Sequence, residues 1–206
     1  MSLKQIFYNL ISKYSTDIGL NETFWQEIES NYSDKKRYYH TLRHIQNLFS
    51  QLSFIKSQID DWDTLLFSIF YHDIIYNVKS QKNEALSAAL ALERLNEINY
   101  PNDKIQKCYE QIMATKSHQK TLINDTNLFT DADLSILGTD WKTYLNYTKQ
   151  IRKEYAVYPK FIYNPGRKKV IKHFLSMEKI FKTKTFHNQF EIQARQNLNK
   201  ELNFMN

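Results

Sequence analysis

Apolar positions along this chain recur at intervals of three and four residues, the mark of helices that bury one face. The clearest stretch is 62–76, where Leu65, Ile69, His72, Asp73 and Tyr76 fall on one stripe. The same period predicts a first helix over about 2–15 and a second over 21–31, with Asn21 as cap and Trp25 and Ile28 facing inward. A third starts near Tyr39 and buries Ile45, Leu48, Phe49, Leu52 and Ile55. Helices over about 83–97 and 102–116 follow, the first on Ala85, Leu86, Ala88, Ala89, Leu92 and Leu95, the second opened by Pro101. Residues 119–130 read as a loop, with Asn124-Asp125 as turn formers, and a short helical turn over 132–137 stops at Gly138. Thr139 caps a helix to about Tyr158, 159–166 is a connection, and helices over 167–182 and 186–203 complete the pattern. With no repeat and no long linker, the expectation is one all-α domain over 1–206. Its chemistry would lie in 37–137, with the helices of 139–203 packed against it.

Composition supports that reading and removes several alternatives. Only three glycines and three prolines occur in 206 residues, too few for the turns of a sheet-rich fold. No glycine-rich loop exists to cradle a phosphate, so P-loop and Rossmann readings fail. The single cysteine, Cys108, excludes an internal disulfide and a multi-cysteine zinc cluster, and reads as a small apolar filler. The first residues form an amphipathic pattern without the apolar stretch of a signal peptide, and no uncharged apolar run reaches the ~18 residues of a membrane span. A cytoplasmic location and no membrane partner are the expectations. Net charge is +6, but residues 141–206 hold 14 Lys/Arg against 4 Asp/Glu, a surplus of ten. Such a face attracts phosphates, nucleotides or nucleic acid, or is simply a solvated helical surface.

Candidate chemistry begins with Asp73. A carboxylate on a buried stripe needs a pairing group or a cation, because a lone buried charge costs several kcal/mol or more. His40 and His44, four apart, share a helix face if the third helix starts near Tyr39. The adjacent pair His72-Asp73 stands near a helix end. Two further acids, Asp131 and Asp133, sit among apolar residues in Phe129-Thr130-Asp131-Ala132-Asp133-Leu134. Each has a plain alternative: packed histidines, an Arg or N–H partner for Asp73, a helix cap for Asp131.

Taken in order, His40, then His72-Asp73, then Asp133 resemble the HD superfamily of metal-dependent phosphohydrolases. The segments Tyr39–Ile45, Phe70–Tyr76, Asn83–Ala88, Asp131–Gly138, Arg152–Tyr155, Gly166-Arg167 and Ala194–Leu198 look closest to a small bacterial branch described as predicted metal-dependent HD phosphohydrolases. The resemblance implies an HD-domain-like helical bundle in which His40, His72, Asp73 and Asp133 bind one divalent ion, with His44 beside them in a neighbouring shell or in exchange for His40. Imidazole and carboxylate ligands suit Mn, Fe, Mg, Co or Zn. Four such ligands leave room for water and a phosphate oxygen, and Glu84 is the candidate proton acceptor alongside Asp73. His118, Arg152, Arg167 and Arg195 are candidate pocket residues, the arginines as phosphate forks. The implied partner is a phosphate-containing small molecule, plausibly a nucleotide. Two competing readings stand beside it: a di-iron oxygenase with His118 as extra ligand, and a nucleic-acid or protein-binding module with a relict site. Nucleic acid ranks last, since no binding motif accompanies the basic C-terminal third.

Overall fold

The computed structural model describes residues 1–205. Among them all regular structure is helical: α1 (Leu3–Ile11), α2 (Ile18–Tyr32), α3 (Leu42–Phe54), α4 (Trp62–Tyr71), α5 (Asn83–Glu97), α6 (Asn102–Ala114), α7 (Asn124–Leu134), α8 (Trp141–Glu154), α9 (Lys160–Ser176) and α10 (Lys184–Phe204), with 3-10 turns at Lys56–Gln58 and Ser135–Gly138. The chain is therefore all-α, and one hydrophobic core draws on every helix. No helix among the described residues is long and apolar enough to cross a membrane. Cys108 is buried on α6 beside the Ser68 hydroxyl, and burial pushes its thiol up to about 12, consistent with a filler.

Most helices fall where the periodicity puts them, but several ends move for identifiable reasons. α2 starts at Ile18 because the Asp17 carboxylate caps the Leu20 N–H. Asn21 lies inside that helix, donating to the Ser15 carbonyl. Asp140, not Thr139, caps α8, accepting from Lys142 and Thr143 N–H. Residues 160–166 are not a connection: Pro159 precedes the first turn of α9, and Pro165 lies inside the helix on its exposed side. The stretch 119–130 is a loop only to 123; from Asn124 it is helix.

α7 escapes a periodicity reading because it is buried nearly all round and much of it is polar. Several of these buried polar groups have a specific partner, as burial demands. The Asp125 carboxylate accepts the Asp60 and Asp61 N–H groups at 2.9 and 2.8 Å, the Asn127 side chain binds both backbone groups of Thr121, and the Thr130 hydroxyl donates to the Thr126 carbonyl. Packed beside α3, α4 and α6, α7 is a central helix held as much by hydrogen bonds as by apolar contact. Gly138 closes its C-terminal side: a Cβ there would come within 2.5 Å of Phe190 Cβ, so only glycine lets α10 lie against this turn.

Candidate metal centre

Two displaced helix ends build the site. α3 begins at Leu42 rather than near Tyr39 because the Glu154 carboxylate, from the end of α8, accepts the N–H groups of Tyr38, Tyr39 and His40 at 2.7, 2.7 and 3.0 Å. His40 thus stands in the turn before the helix and does not share a helical face with His44. α4 ends at Tyr71, and His72 and Asp73 lie at its mouth. The Arg37 guanidinium donates to the carbonyls of Asp73 and Ile74 at 2.6 and 2.8 Å and to that of His40 at 3.3 Å, binding the two turns together.

Ligand-type atoms of His44, His72 and Asp133 all lie within 4.8 Å of one another. His44 Nε2 is 3.1 Å from His72 Nε2 and 3.2 Å from Asp133 Oδ1, and His72 Nε2 is 3.9 Å from that oxygen. Asp73 Oδ2 borders the same point, 3.1 Å from His72 Nε2 and 3.7 Å from His44 Nε2. Ligands held about 2.1 Å from a six-coordinate ion sit about 3 Å apart when adjacent, so this spacing fits a small cation. The donor chemistry fits as well. His72 Nδ1 is 2.9 Å from the Ile69 carbonyl, which can only accept, so Nδ1 carries a proton and neutral His72 turns a lone pair inward. That lone pair, His44 Nε2 and two carboxylates then meet at one point, which requires a cation or protons between them. In the metal-free protein, burial would lower His72, yet Asp73 and Asp133 override this and push it up to about 9. Burial would likewise raise both carboxyls, but His72 and His40 hold Asp73 well below its usual range, and His118 and His44 do so for Asp133.

Of the two histidines, His44 rather than His40 has its ligand atom within the tight group. His44 is in the cluster. His40 turns Nδ1 to Glu154 Oε2 at 2.7 Å, its Nε2 lies 4.0 Å from Asp73 Oδ2, and its ring stands edge-on to that of His44 at 5.9 Å. His118 joins the site, its Nε2 lying 2.9 Å from the other Asp133 oxygen.

Asp73 and Asp133 of the cluster line a cleft of about 750 Å³, together with His40, Glu84, Lys116, His118, Arg167, Lys169 and five tyrosines, Tyr76, Tyr147, Tyr155, Tyr158 and Tyr163; His44 and His72 are buried beside them. Glu84 lines this cleft without joining the cluster. Of the three expected arginines only Arg167 borders it, and it forks onto Glu201 with both contacts at 2.8 Å. Arg152 is spent on the Tyr155 and Tyr158 carbonyls, and Arg195 on Glu191 and the carbonyls of Leu175, Met177 and Glu178. Neither lines the cleft, so the phosphate-fork role expected of Arg152 and Arg195 does not fit their positions. Asp131 faces away from the cluster and caps the start of α10 through Lys182 N–H, Thr183 N–H and the Thr183 hydroxyl.

Glu154 is a functional-looking residue absent from the candidates that the sequence singles out. Its signal was present: Tyr144, Tyr147, Ile151 and Glu154 form one helical stripe, the argument that singled out Asp73. Besides three N–H groups and His40, its carboxylate accepts the Tyr76 hydroxyl, and although burial alone would raise it, these donors bring it down to about 2. No family model, curated protein or solved structure matches the chain.

Proposed function

We propose that this chain is a metal-dependent phosphohydrolase of the HD type, built on an HD-like bundle and acting on a phosphoester or phosphoanhydride of a nucleotide-like substrate. One observation carries the reading: Nε2 of His44 and His72 and the carboxylates of Asp73 and Asp133 converge on one point beside an open cleft that the two carboxylates line. His44, His72 and Asp133 would hold the ion, with Asp73 beside them. A bound divalent ion supplies Lewis acidity toward a phosphoryl oxygen and a more acidic water.

The chain's own groups do the rest. Glu84 has no hydrogen-bond or ion-pair partner among the described residues, so a carboxylate on the cleft wall is free to accept a proton. Lys169 likewise has no partner among the described residues, and the Lys116 ammonium donates only to the Gln81 carbonyl, so two cations remain to offset phosphate charge. The Arg167–Glu201 fork also reaches Tyr144 and Tyr147, fixing the tyrosine wall against which a flat base can lie.

The test is phosphate or pyrophosphate release from a nucleotide panel with Mn²⁺ or Mg²⁺, with His72→Ala as control. Release that depends on the ion and on His72 supports the reading; a protein that binds no ion and releases nothing with any metal sinks it. A second reading has its own observation. Asp133 turns one oxygen to His44 and the other to His118, at 3.2 and 2.9 Å, an arrangement able to bridge two ions as a di-iron oxygenase would need. Two irons per chain by elemental analysis would favour it.

A further inference from the structure

The Asp131–Lys182 pair is deeply buried, with side chains 0% and 4% exposed and Nζ 3.0 Å from Oδ1. Such a pair is weak support for stability, because desolvating two charges offsets most of their attraction, so its presence calls for a geometric reason. Capping α10 is not that reason. Asp131 already receives the Lys182 and Thr183 N–H groups and the Thr183 hydroxyl, at 2.9, 2.7 and 2.7 Å, and no ammonium is needed for that. The ammonium makes one further contact: Lys182 Nζ donates to the His118 carbonyl at 3.2 Å. His118 sits in the left-handed region, at φ 53°, an uncommon place for a residue with a side chain. Its backbone is held by its N–H to the Ala114 carbonyl on one side and by Lys182 on the other, and its ring reaches Asp133 at 2.9 Å.

We infer that Lys182 is a positioning residue for the metal centre: with Asp131 as its anchor, it fixes the backbone of His118 so that the imidazole restrains the outer oxygen of Asp133 while the inner one faces His44 and His72. The inference rests on the metal-site reading above and extends it to a residue 51 positions from Asp131 and 64 from His118.

The test is a double-mutant cycle on Mn²⁺ affinity, read by titration calorimetry and by loss of the free-ion electron paramagnetic resonance signal. Lys182→Met and His118→Ala should each weaken binding about 10-fold, the size seen when a group orienting a ligand is removed. The double variant should bind no more weakly than His118→Ala alone, because Lys182 acts through His118. Losses that multiply, or a Lys182→Met protein that binds like wild type, overturn the inference while leaving the metal site standing. Wild-type protein that binds no Mn²⁺ overturns both. Thermal melting checks that each variant is folded. If Lys182→Met is not, the cycle is run with Lys182→Met/Asp131→Asn in its place, which removes both buried charges together.

Discussion

At the scale of single residues the site turns on which histidine faces inward. His44→Ala should abolish stoichiometric binding of a divalent ion, whereas His40→Ala should retain it, as measured by elemental analysis after desalting; the reverse result would restore His40 as ligand. Glu154 is the second decisive residue. Glu154→Gln keeps one oxygen for the three backbone N–H groups but puts an NH2 donor where Oε2 meets His40 Nδ1 and the Tyr76 hydroxyl, and should cost about 3 kcal/mol by urea denaturation, as for a broken buried charge network. Its pH dependence has a definite sign. The folded value, about 2, lies below the ordinary 4.5, so the contribution is present above pH 4.5 and is lost as pH falls from there toward 2. Wild type and Glu154→Gln should therefore converge in stability across that window and differ by a constant amount above it.

At the scale of elements, the helices that read easily are those with one apolar face. α5 matches its expected span of 83–97, and α4 starts where the stripe of Leu65 and Ile69 places it. What the pattern could not convey is where a helix is stopped by a group from elsewhere. α3 is shortened by Glu154, more than a hundred residues later, and α4 ends where Arg37 takes the carbonyls beyond it. These long-range caps decide that His40 lies outside the helix, and hence which histidine joins the cluster. α7 was hidden for another reason: its buried residues are largely polar, and their partners at Asp60, Thr121 and Lys182 are invisible to local periodicity. The α10 contact carries its own prediction. Gly138→Ala forces Cβ into Phe190 and should lower stability by about 1–3 kcal/mol, seen as a reduced melting temperature with no change in helix content.

At the scale of the whole molecule, the all-α class follows from the scarcity of glycine and proline together with the three-to-four-residue period, and the candidate centre follows from acids standing on apolar stripes. The cleft walls were less legible, since sequence names tyrosines and arginines without saying which way they face. That aromatic richness has a measurable consequence at alkaline pH. Burial raises Tyr14 and Tyr163 to about 12, and Tyr32, Tyr39 and Tyr71 well above their usual value. Folded values above the unfolded 10.0 mean that this stability is fully present below pH 10 and is lost as pH rises beyond it. Tyrosinate absorbance should thus lag the free-tyrosine curve and then rise together with the loss of helical circular dichroism; a non-cooperative rise centred on pH 10 would contradict the burial.

The braces on this centre come late in the chain. Glu154 fixes the turn before α3, and the 182–183 turn engages the far side of α7. During synthesis the four inward-facing side chains emerge before those braces do, His44 by more than a hundred residues. A ribosome-bound chain would hold the right donors in the wrong places until the segments carrying Glu154 and Thr183 had been made. Loading of an ion would then follow the synthesis of both braces, and a chain halted before Glu154 should show no selective hold on one.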